Sequence, residues 1–246
     1  MALYYDHYVT VDSRDVDGSG SCRPSALLGH LQEAATLAAE AGGFGRDILL
    51  KECGAFWMLA RMWYRLERPL HWGEEVRIRT WHRGGKGAMM YRDFDLFVGD
   101  ECVGESVSGW VLADLKSRKL VKMSSVSVLQ GTEGGEFCKS RTLAKIRMPG
   151  EMIAAEPRRM RYSDTDINGH VNNTRYADFS CDALEMEKLR KDQFLSEIQL
   201  GYLAECYAGE ILSMWIGGEG DAHFVKGTDR EGSARFETKI VFRAIP

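Results

Sequence analysis

Three side chains suited to acid–base and hydrogen-bond chemistry lie at alternate positions of one short segment. Asp166, Asn168 and His170 supply a carboxylate, an amide and an imidazole. If the segment is extended, a spacing of two points all three side chains the same way. A helix entered at Asn172-Asn173 would add free backbone N–H groups beside them. The pattern predicts a site that polarises a carbonyl group and activates water.

The length and composition of the chain indicate one large folded domain or two smaller ones. Its 246 residues are 44% hydrophobic, which supports a substantial core and argues against disorder. The first residues lack a basic flank followed by an apolar block, and apolar runs stay short of membrane-spanning length. We therefore expect a soluble, cytoplasmic protein without membrane insertion.

Charge and cysteine spacing narrow the function classes further. A net charge of −4 gives no reason to expect nucleic-acid binding. The six cysteines are widely spaced and form neither a Cys-x-x-Cys metal pair nor a compact disulfide framework. We expect no metal and no cofactor. The cations are concentrated in two clusters, one over residues 116–122 and one around residues 139–161, and such clusters favour an acidic partner.

The sequence also contains an internal repeat. Two similar segments, Asp-Val-Asp-Gly-Ser-Gly at 15–20 and Asp-Thr-Asp-Ile-Asn-Gly at 164–169, lie 149 residues apart, and each precedes a helical pattern. Pro24 is expected to open the first helix and Gly42-Gly43 to end it. Strand patterns follow each helix, at 55–67, 75–81, 91–98, 101–114 and 120–123 in the first half and at 198–205, 210–216, 223–227 and 234–245 in the second.

One helix followed by an antiparallel meander is the order of a hotdog unit, in which a long sheet wraps a central helix. The predicted fold class is therefore α+β, a tandem (double) hotdog with two long helices, each wrapped by an antiparallel sheet, and the sheets joined edge to edge. The predicted division is an N-terminal unit at 1–129, a linker at 130–155 and a C-terminal unit at 156–246. A homodimer stays open.

The two copies differ where chemistry is expected. By the 149-residue offset, Ser19 stands where Asn168 does and Ser21 stands where His170 does. Glu67 falls opposite Glu205 if two residues are inserted near 71–72. The second half is thus expected to be catalytic, and the first half to enclose a long ligand.

Several motifs now make a family resemblance specific. The chain resembles the acyl-acyl-carrier-protein thioesterases, known from plant plastids and bacteria, which release free fatty acids from the carrier protein. The N-terminus shows no plastid transit segment, so a bacterial-type member is expected. The matching segments are 72–76 (Trp-Gly-Glu-Glu-Val), 79–81 (Arg-Thr-Trp), 91–94 (Tyr-Arg-Asp-Phe), 108–114 (Ser-Gly-Trp-Val-Leu-Ala-Asp), 161–166 (Arg-Tyr-Ser-Asp-Thr-Asp), 168–173 (Asn-Gly-His-Val-Asn-Asn), Tyr176 and 205–206 (Glu-Cys).

The resemblance implies a catalytic set of Asp166, Asn168, His170 and Glu205. A carboxylate can act as general base toward water, or it can attack the carbonyl directly and form a transient anhydride, and the sequence leaves both routes open. A Cys206 nucleophile activated by His170 is the third route and ranks last.

The resemblance also implies an acyl tunnel in the N-terminal unit and an acidic acyl carrier protein as partner. The candidate tunnel residues are Phe56, Met58, Ala60, Met62, Leu27 and Leu31. The candidate docking residues are Lys116, Arg118, Lys119, Lys122, Arg158 and Arg159.

Three rival functions remain to be weighed. A hotdog hydratase would need an Asp-x-Asn-Pro-x-His signature, and segment 166–170 lacks the proline and is one residue too short. A coenzyme A thioesterase of the same fold is the closer alternative. A non-catalytic acyl-binding protein is disfavoured because the whole catalytic set is present.

Overall fold

The described residues form one large antiparallel sheet with few helices. The computed structural model describes residues 4–129, 134, 143–188 and 192–246, so residues 130–133 and 135–142 of the predicted linker lie outside it. The strands are β1 (Tyr5–Thr10), β2 (Ala55–Leu66), β3 (Glu75–Lys86), β4 (Met89–Val98), β5 (Glu101–Asp114), β6 (Leu120–Val121), β7 (Ile153–Arg159), β8 (Gln193–Tyr202), β9 (Ile211–Glu219), β10 (Ala222–Thr228) and β11 (Ala234–Ala244).

The sheet has an internal symmetry that follows the chain. Its strand order is β1-β3-β4-β5-β2-β8-β11-β10-β9-β7, with β6 paired to β5. Strands β1 to β6 come from the first half of the chain and β7 to β11 from the second. The halves meet where β2 pairs with β8 over five residue pairs, from Arg61 opposite Gly201 to Arg65 opposite Glu197. The strands of the two halves are therefore joined edge to edge within one sheet.

Three α-helices accompany this sheet in the described part of the chain. They are α1 (Pro24–Ala41), α2 (Arg46–Ile48), which continues into a π-helical turn at Leu49–Cys53, and α3 (Arg175–Ala183). Short 3-10 turns lie at Met123–Ser125, Ser127–Leu129, Tyr162–Asp164 and Met186–Lys188. Helix α1 begins at Pro24 and ends before Gly42, as predicted. Helix α3 has 9 residues, half the 18 of α1, so the second helix is shorter than expected.

A shared core holds the two halves together. Helix α1 contacts α3, and one buried cluster contains leucines of α1, aromatic residues of α3 and residues of both sheets. Leu31 from α1 and Phe179 from α3 are each at most 1% exposed. Full burial of such side chains stabilises the fold by about 1.5–3 kcal/mol each. The helices are thus fixed by packing against the sheet and against each other.

The chain that precedes β7 crosses the other face of the sheet at the junction. Leu143 packs with Trp63 and Val107. Its carbonyl oxygen accepts a hydrogen bond of 3.1 Å from Arg61 of β2, and the carbonyl oxygen of Ala144 accepts one of 2.7 Å from Gln199 of β8. This segment, the connector 143–144, therefore contacts both halves.

The nine strands predicted from the sequence are all present, with two boundaries that matter for the site. Strand β8 runs from Gln193 to Tyr202, so Glu205 lies in the loop after it and not at its end. Strand β7 begins at Ile153, so the predicted boundary at 156 falls inside a strand. No helix among the described residues is both long and apolar enough to span a membrane.

Candidate active site

The segment that carries the predicted catalytic residues is a tight turn, not an extended strand. Thr165 and Val171 face each other in a short β-bridge, and the Asp166 N–H donates to the His170 carbonyl at 3.0 Å. At the tip, the Gly169 N–H donates to the Asp166 carbonyl at 3.0 Å, with Gly169 at φ +81°. The predicted geometry was wrong, but the turn brings Asp166 and His170 together because they are its facing ends.

The same turn is built a second time in the first half of the chain. Besides the two bonds above, the turn at residues 164–172 has two more: the Asn168 N–H donates to the Asp166 carboxylate and the Asn172 N–H donates to the Asp164 carbonyl, both at 2.8 Å. Each of the four hydrogen bonds has a counterpart 149 residues earlier, at 2.9, 3.0, 2.8 and 2.8 Å. Gly20, at φ +78°, takes the place of Gly169. The two segments that are similar in sequence therefore form turns with the same hydrogen bonds.

The loop after β8 brings the second carboxylate to this turn. The Val171 N–H donates to the Cys206 carbonyl at 2.8 Å, and in the first half the Cys22 N–H donates to the Leu70 carbonyl at 2.7 Å. Cys206 therefore matches Leu70, and the preceding Glu205 matches Pro69. The alignment of Glu205 with Glu67 was wrong, because the two loops need no insertion.

The three ionisable side chains converge in space. Nδ1 of His170 lies 3.9 Å from Oδ1 of Asp166, and Nε2 of His170 lies 3.9 Å from Oε1 of Glu205. The exposed fractions are 17% for Asp166, 24% for His170 and 36% for Glu205, so the imidazole sits between two carboxylates in a partly buried recess. A small adjustment or one bridging water would turn either contact into a hydrogen bond.

Asn168 and the start of α3 are placed differently from the prediction. The side chain of Asn168 is exposed at the tip of the turn, and its backbone N–H is the group bonded to Asp166. Helix α3 begins at Arg175, after an Asx turn in which the Asn172 side chain accepts from the Thr174 N–H at 2.9 Å. Arg175 and Ala177 also donate to local carbonyls. These N–H groups at the helix start are therefore already hydrogen-bonded within the chain and do not face the site as free donors.

Cys206 is poorly suited to be a nucleophile. Its side chain is fully buried, and burial raises the pKa of its thiol. The thiol interacts with the Tyr176 phenol in the core. A thiol is reactive as the thiolate, which needs an exposed and electropositive setting. The role of Cys206 that is visible here belongs to its carbonyl, which ties the turn to the loop.

A buried carboxylate that the sequence analysis did not single out supports the turn. Asp164 is 1% exposed, and its carboxylate accepts a 2.7 Å hydrogen bond from the Arg161 N–H and pairs with Arg175 at 3.3 Å and Arg158 at 3.5 Å. Its counterpart, Asp15, accepts from the Asp12 N–H and from His30, both at 3.1 Å. The repeat of Asp15 and Asp164 in the sequence was the available signal.

Two further residues that the sequence analysis missed hold Glu205. The Tyr207 hydroxyl donates to Oε2 of Glu205 at 2.7 Å. Arg235 of β11 donates to the Glu205 carbonyl at 3.0 Å and pairs with Asp229 at 3.1 Å. Tyr207 follows the Glu-Cys pair directly, whereas no sequence pattern links Arg235 to this loop.

The predicted docking residues divide into two groups. Lys116, Arg118, Lys119 and Lys122 are exposed on the β5–β6 hairpin and just after it, and Arg159 is exposed on β7. Arg158 is committed to ion pairs with Asp164 and Asp182 and lies over the Phe179 ring at 4.5 Å. As a free docking cation, Arg158 was therefore a wrong choice.

The predicted tunnel residues do not share one surface. Leu27, Leu31 and Met62 lie together in the shared core. A β-bulge between Leu59 and Arg61 breaks the period-two alternation of β2, so that Ala55, Trp57 and Leu59 face the helices before it and Met62 faces them after it. Phe56 and Met58 therefore point to the opposite face from Met62, and Ala60 lies within the bulge.

In the described ranges, His, Cys, Asp and Glu side chains form no group of three that could hold a metal ion.

Comparison with solved structures identifies the fold. The chain is similar to an acyl-ACP thioesterase from Bacteroides thetaiotaomicron, with 24% identity, a TM-score of 0.83 and 98% of each chain covered. It is also similar to a 12:0-ACP thioesterase from Umbellularia californica, with 21% identity, a TM-score of 0.82 and 99% of this chain and 98% of that one covered. The fold is that of the acyl-ACP thioesterases.

Family models give the classification. Residues 2–127 match the acyl-ACP thioesterase N-terminal domain and residues 151–242 match the acyl-ACP thioesterase C-terminal domain. The chain belongs to the acyl-ACP thioesterase family.

The chain is also similar in sequence to two plant proteins. The chain is 25% identical over 233 residues to a chloroplastic acyl-[acyl-carrier-protein] hydrolase of Cuphea viscosissima, and 27% identical over 233 residues to an oleoyl-acyl carrier protein thioesterase of Arabidopsis thaliana. Each alignment covers 85% of this chain, but the chain spans only 54% and 62% of the lengths of these relatives.

Proposed function

We propose that the protein hydrolyses fatty acyl thioesters of acyl carrier protein to free fatty acid and the carrier thiol, ending fatty acid synthesis. The observation that carries the proposal is the convergence of Asp166, His170 and Glu205 within 3.9 Å contacts, in a member of this family. An imidazole with one carboxylate on each side is sufficient to activate a water molecule and to transfer its protons.

The three side chains suit a general-base route. Water adds to the thioester carbonyl carbon while a carboxylate accepts one of its protons. The tetrahedral intermediate then expels the thiolate as the C–S bond breaks, and the sulfur takes up a proton.

We assign the base role to Glu205. It is the more exposed of the two carboxylates, and one lone pair of Asp166 is already used by the Asn168 N–H. Asp166 then orients His170, and His170 stabilises the developing negative charge, takes the accepted proton from Glu205 at Nε2 and passes it to the departing sulfur.

The same proposal includes a tandem hotdog architecture. The matching turns, each followed by a helix and a meander, support two units with the predicted division 1–129, 130–155 and 156–246. Starting the second unit at Ile153 keeps β7 whole. Leu27, Leu31 and Met62 are retained as acyl-tunnel candidates in the first unit because they share one apolar cluster. A cytoplasmic location and a homodimer stay predictions.

We place the docking surface for the acidic carrier on the hairpin cluster, defined as Lys116, Arg118, Lys119 and Lys122, with Arg159 as a further candidate. The hydrogen bond to Glu205 raises the pKa of Tyr207, and the positive charge of Arg118 opposes that rise. Arg118, from the first half, therefore lies close enough to act electrostatically on the catalytic loop of the second half. Cations beside the site would steer an acidic carrier toward it.

The test is release of free fatty acid from matched acyl chains on carrier protein and on coenzyme A. We expect kcat/KM to be higher for the carrier-linked substrate and to fall steeply with added salt for that substrate, because opposite charges attract less when screened. Charge reversal of Lys116 and Lys119 to glutamate should reproduce the loss at low salt. Higher and salt-insensitive turnover of the coenzyme A ester would instead identify a coenzyme A thioesterase, and binding without release would identify an acyl-binding protein.

The repeated turn gives a matched pair of variants. We expect Gly169→Ala and Gly20→Ala each to lower the free energy of unfolding by about 1 kcal/mol, because alanine is strained at the positive φ of both positions. The space around a new Cβ is open at both positions, so no steric clash adds to this cost. Only Gly169→Ala should also lower kcat, by about tenfold, since it shifts Asp166 against His170. Denaturant unfolding and steady-state kinetics measure the two effects. Equal kinetic effects of the two variants would contradict the assignment of catalysis to the second turn.

A further inference from the structure

Comparison of the two halves shows which polar side chains are specific to the catalytic one. The loops after β2 and β8 share a backbone pattern, since the Glu74 N–H donates to the His71 carbonyl at 3.1 Å and the Glu210 N–H donates to the Tyr207 carbonyl at 3.2 Å. With Cys206 matched to Leu70, Tyr207 therefore stands where the first half has His71. At this loop position the phenol occurs only in the half that also carries His170 and Glu205.

The hydrogen bond of Tyr207 divides the Glu205 carboxylate into two different oxygens. Oε2 accepts the Tyr207 hydroxyl at 2.7 Å, whereas Oε1 lies 3.9 Å from Nε2 of His170. The terminal torsion of a glutamate is otherwise broad and roughly two-fold, so a free carboxylate would sample many orientations. The phenol fixes this torsion and leaves Oε1 directed toward the imidazole.

We propose that Tyr207 is a positioning residue for Glu205 in the hydrolysis, an inference that rests on the proposed function. It does not touch the reacting atoms. It holds one carboxylate oxygen so that the other is presented to water and to His170. Because only a preorganised base avoids reorientation at the moment of reaction, the effect belongs in kcat and not in substrate binding.

The ionisation of Tyr207 agrees with this role. Its hydrogen bond to Glu205 raises the pKa of the phenol above its usual value, which already lies above neutrality. The hydroxyl therefore keeps its proton and stays a donor throughout the neutral range.

The backbone of Glu205 is held as firmly as its side chain. Arg235 donates to the Glu205 carbonyl at 3.0 Å, and Arg235 is itself paired with Asp229 at 3.1 Å. The counterpart of Arg235 in the first half is Val103. The Glu67 N–H donates to the Val103 carbonyl at 2.9 Å, and in the same way the Leu203 N–H donates to the Arg235 carbonyl at 2.9 Å. The first half holds the equivalent carbonyl, that of Pro69, by a 3.0 Å hydrogen bond from Arg68, so the support that is specific to the catalytic half is the Tyr207 hydroxyl on the Glu205 side chain.

The test is Tyr207→Phe, alone and combined with Glu205→Gln, assayed as fatty acid release from acyl carrier protein. We expect the single variant to lower kcat by about tenfold with KM unchanged, because it loses one hydrogen bond to a charged group at a half-exposed position. In the Glu205→Gln background the same change should have no further effect, because a residue that acts through Glu205 has nothing left to position. Tyr8→Phe, on the exposed side of edge strand β1, is the control and should match the unmodified protein.

An unchanged kcat in Tyr207→Phe, or the same tenfold loss in both backgrounds, would overturn the role of Tyr207 while leaving the proposed function in place. Absence of release by the unmodified protein on every carrier-linked chain length would overturn the proposed function and the role of Tyr207 together. The melting temperature should stay within about 2 °C in Tyr207→Phe, since the side chain is half exposed, which separates positioning from loss of fold.

Discussion

Glu205→Gln is expected to lower kcat for acyl carrier protein thioesters by about a thousandfold. Removal of a general base costs two to four orders of magnitude, and the amide retains the size of the side chain and an oxygen that still accepts from Tyr207. The fold should be unaffected because Glu205 lies in a loop and is one-third exposed. Steady-state release of fatty acid, with KM determined in parallel, measures the effect.

The matched control is Glu67→Gln. Glu67 follows β2 as Glu205 follows β8, but it pairs with Arg65 at 3.2 Å and Arg243 at 3.5 Å and stands opposite Leu203, not Glu205. We expect its kcat to stay within about twofold of the unmodified protein. Full activity of Glu205→Gln would refute Glu205 as the base, and loss of activity only in Cys206→Ala would restore the thiol mechanism.

His170→Ser is the second variant with a large expected effect, and the chain itself supplies its design. Ser21 occupies the same position in a turn with the same four hydrogen bonds, three between backbone groups and one from a backbone N–H to an aspartate carboxylate. The exchange should therefore preserve the turn while it removes the imidazole between Asp166 and Glu205. We expect kcat to fall by about a thousandfold, since charge stabilisation and proton transfer are both lost.

The measurement pairs kinetics with thermal unfolding. The melting temperature of His170→Ser should lie within about 2 °C of that of the unmodified protein. Ser21→Ala, at the equivalent position of the first half, should change neither quantity. If His170→Ser kept most of its activity, the chemistry would have to reside in Asp166 and Glu205 without an imidazole.

Much of the sheet could be predicted because its strands have clear periodicity and strong turn signals. β5 was predicted at its observed limits, 101–114, and the Gly-Glu pairs at 73–74 and 209–210 correctly mark the starts of β3 and β9. The patterns do not predict β1 and β7, the first strand of each half. Both lie at the edges of the sheet, and β7 contains Pro157, which is tolerated at an edge but weakens the strand pattern.

The site was predicted in its residue types but not in its geometry. Asp166 and His170 were singled out by their types and spacing and Glu205 by the family resemblance, but alternation suggested an extended segment where Gly169 in fact closes a turn. Glycine at a turn tip and an Asp two residues earlier were legible signals for that turn. Asp164 was marked only by its repeat at Asp15, and Arg235 was not legible as a support, because its contact with the Glu205 carbonyl comes from a pairing that only the folded chain creates.

The connector 143–144 has a consequence for how the protein works as a unit. The direct backbone junction of β2 with β8 is only five residue pairs long, and the connector bridges it by accepting one hydrogen bond from each side. A covalent tether that also binds across the joint makes the association of the halves intramolecular, at an effective concentration on the order of millimolar. The proposed docking residue Arg118 and the loop of Glu205 then stay in one molecule at any protein dilution, whereas two separate chains would dissociate as they became dilute.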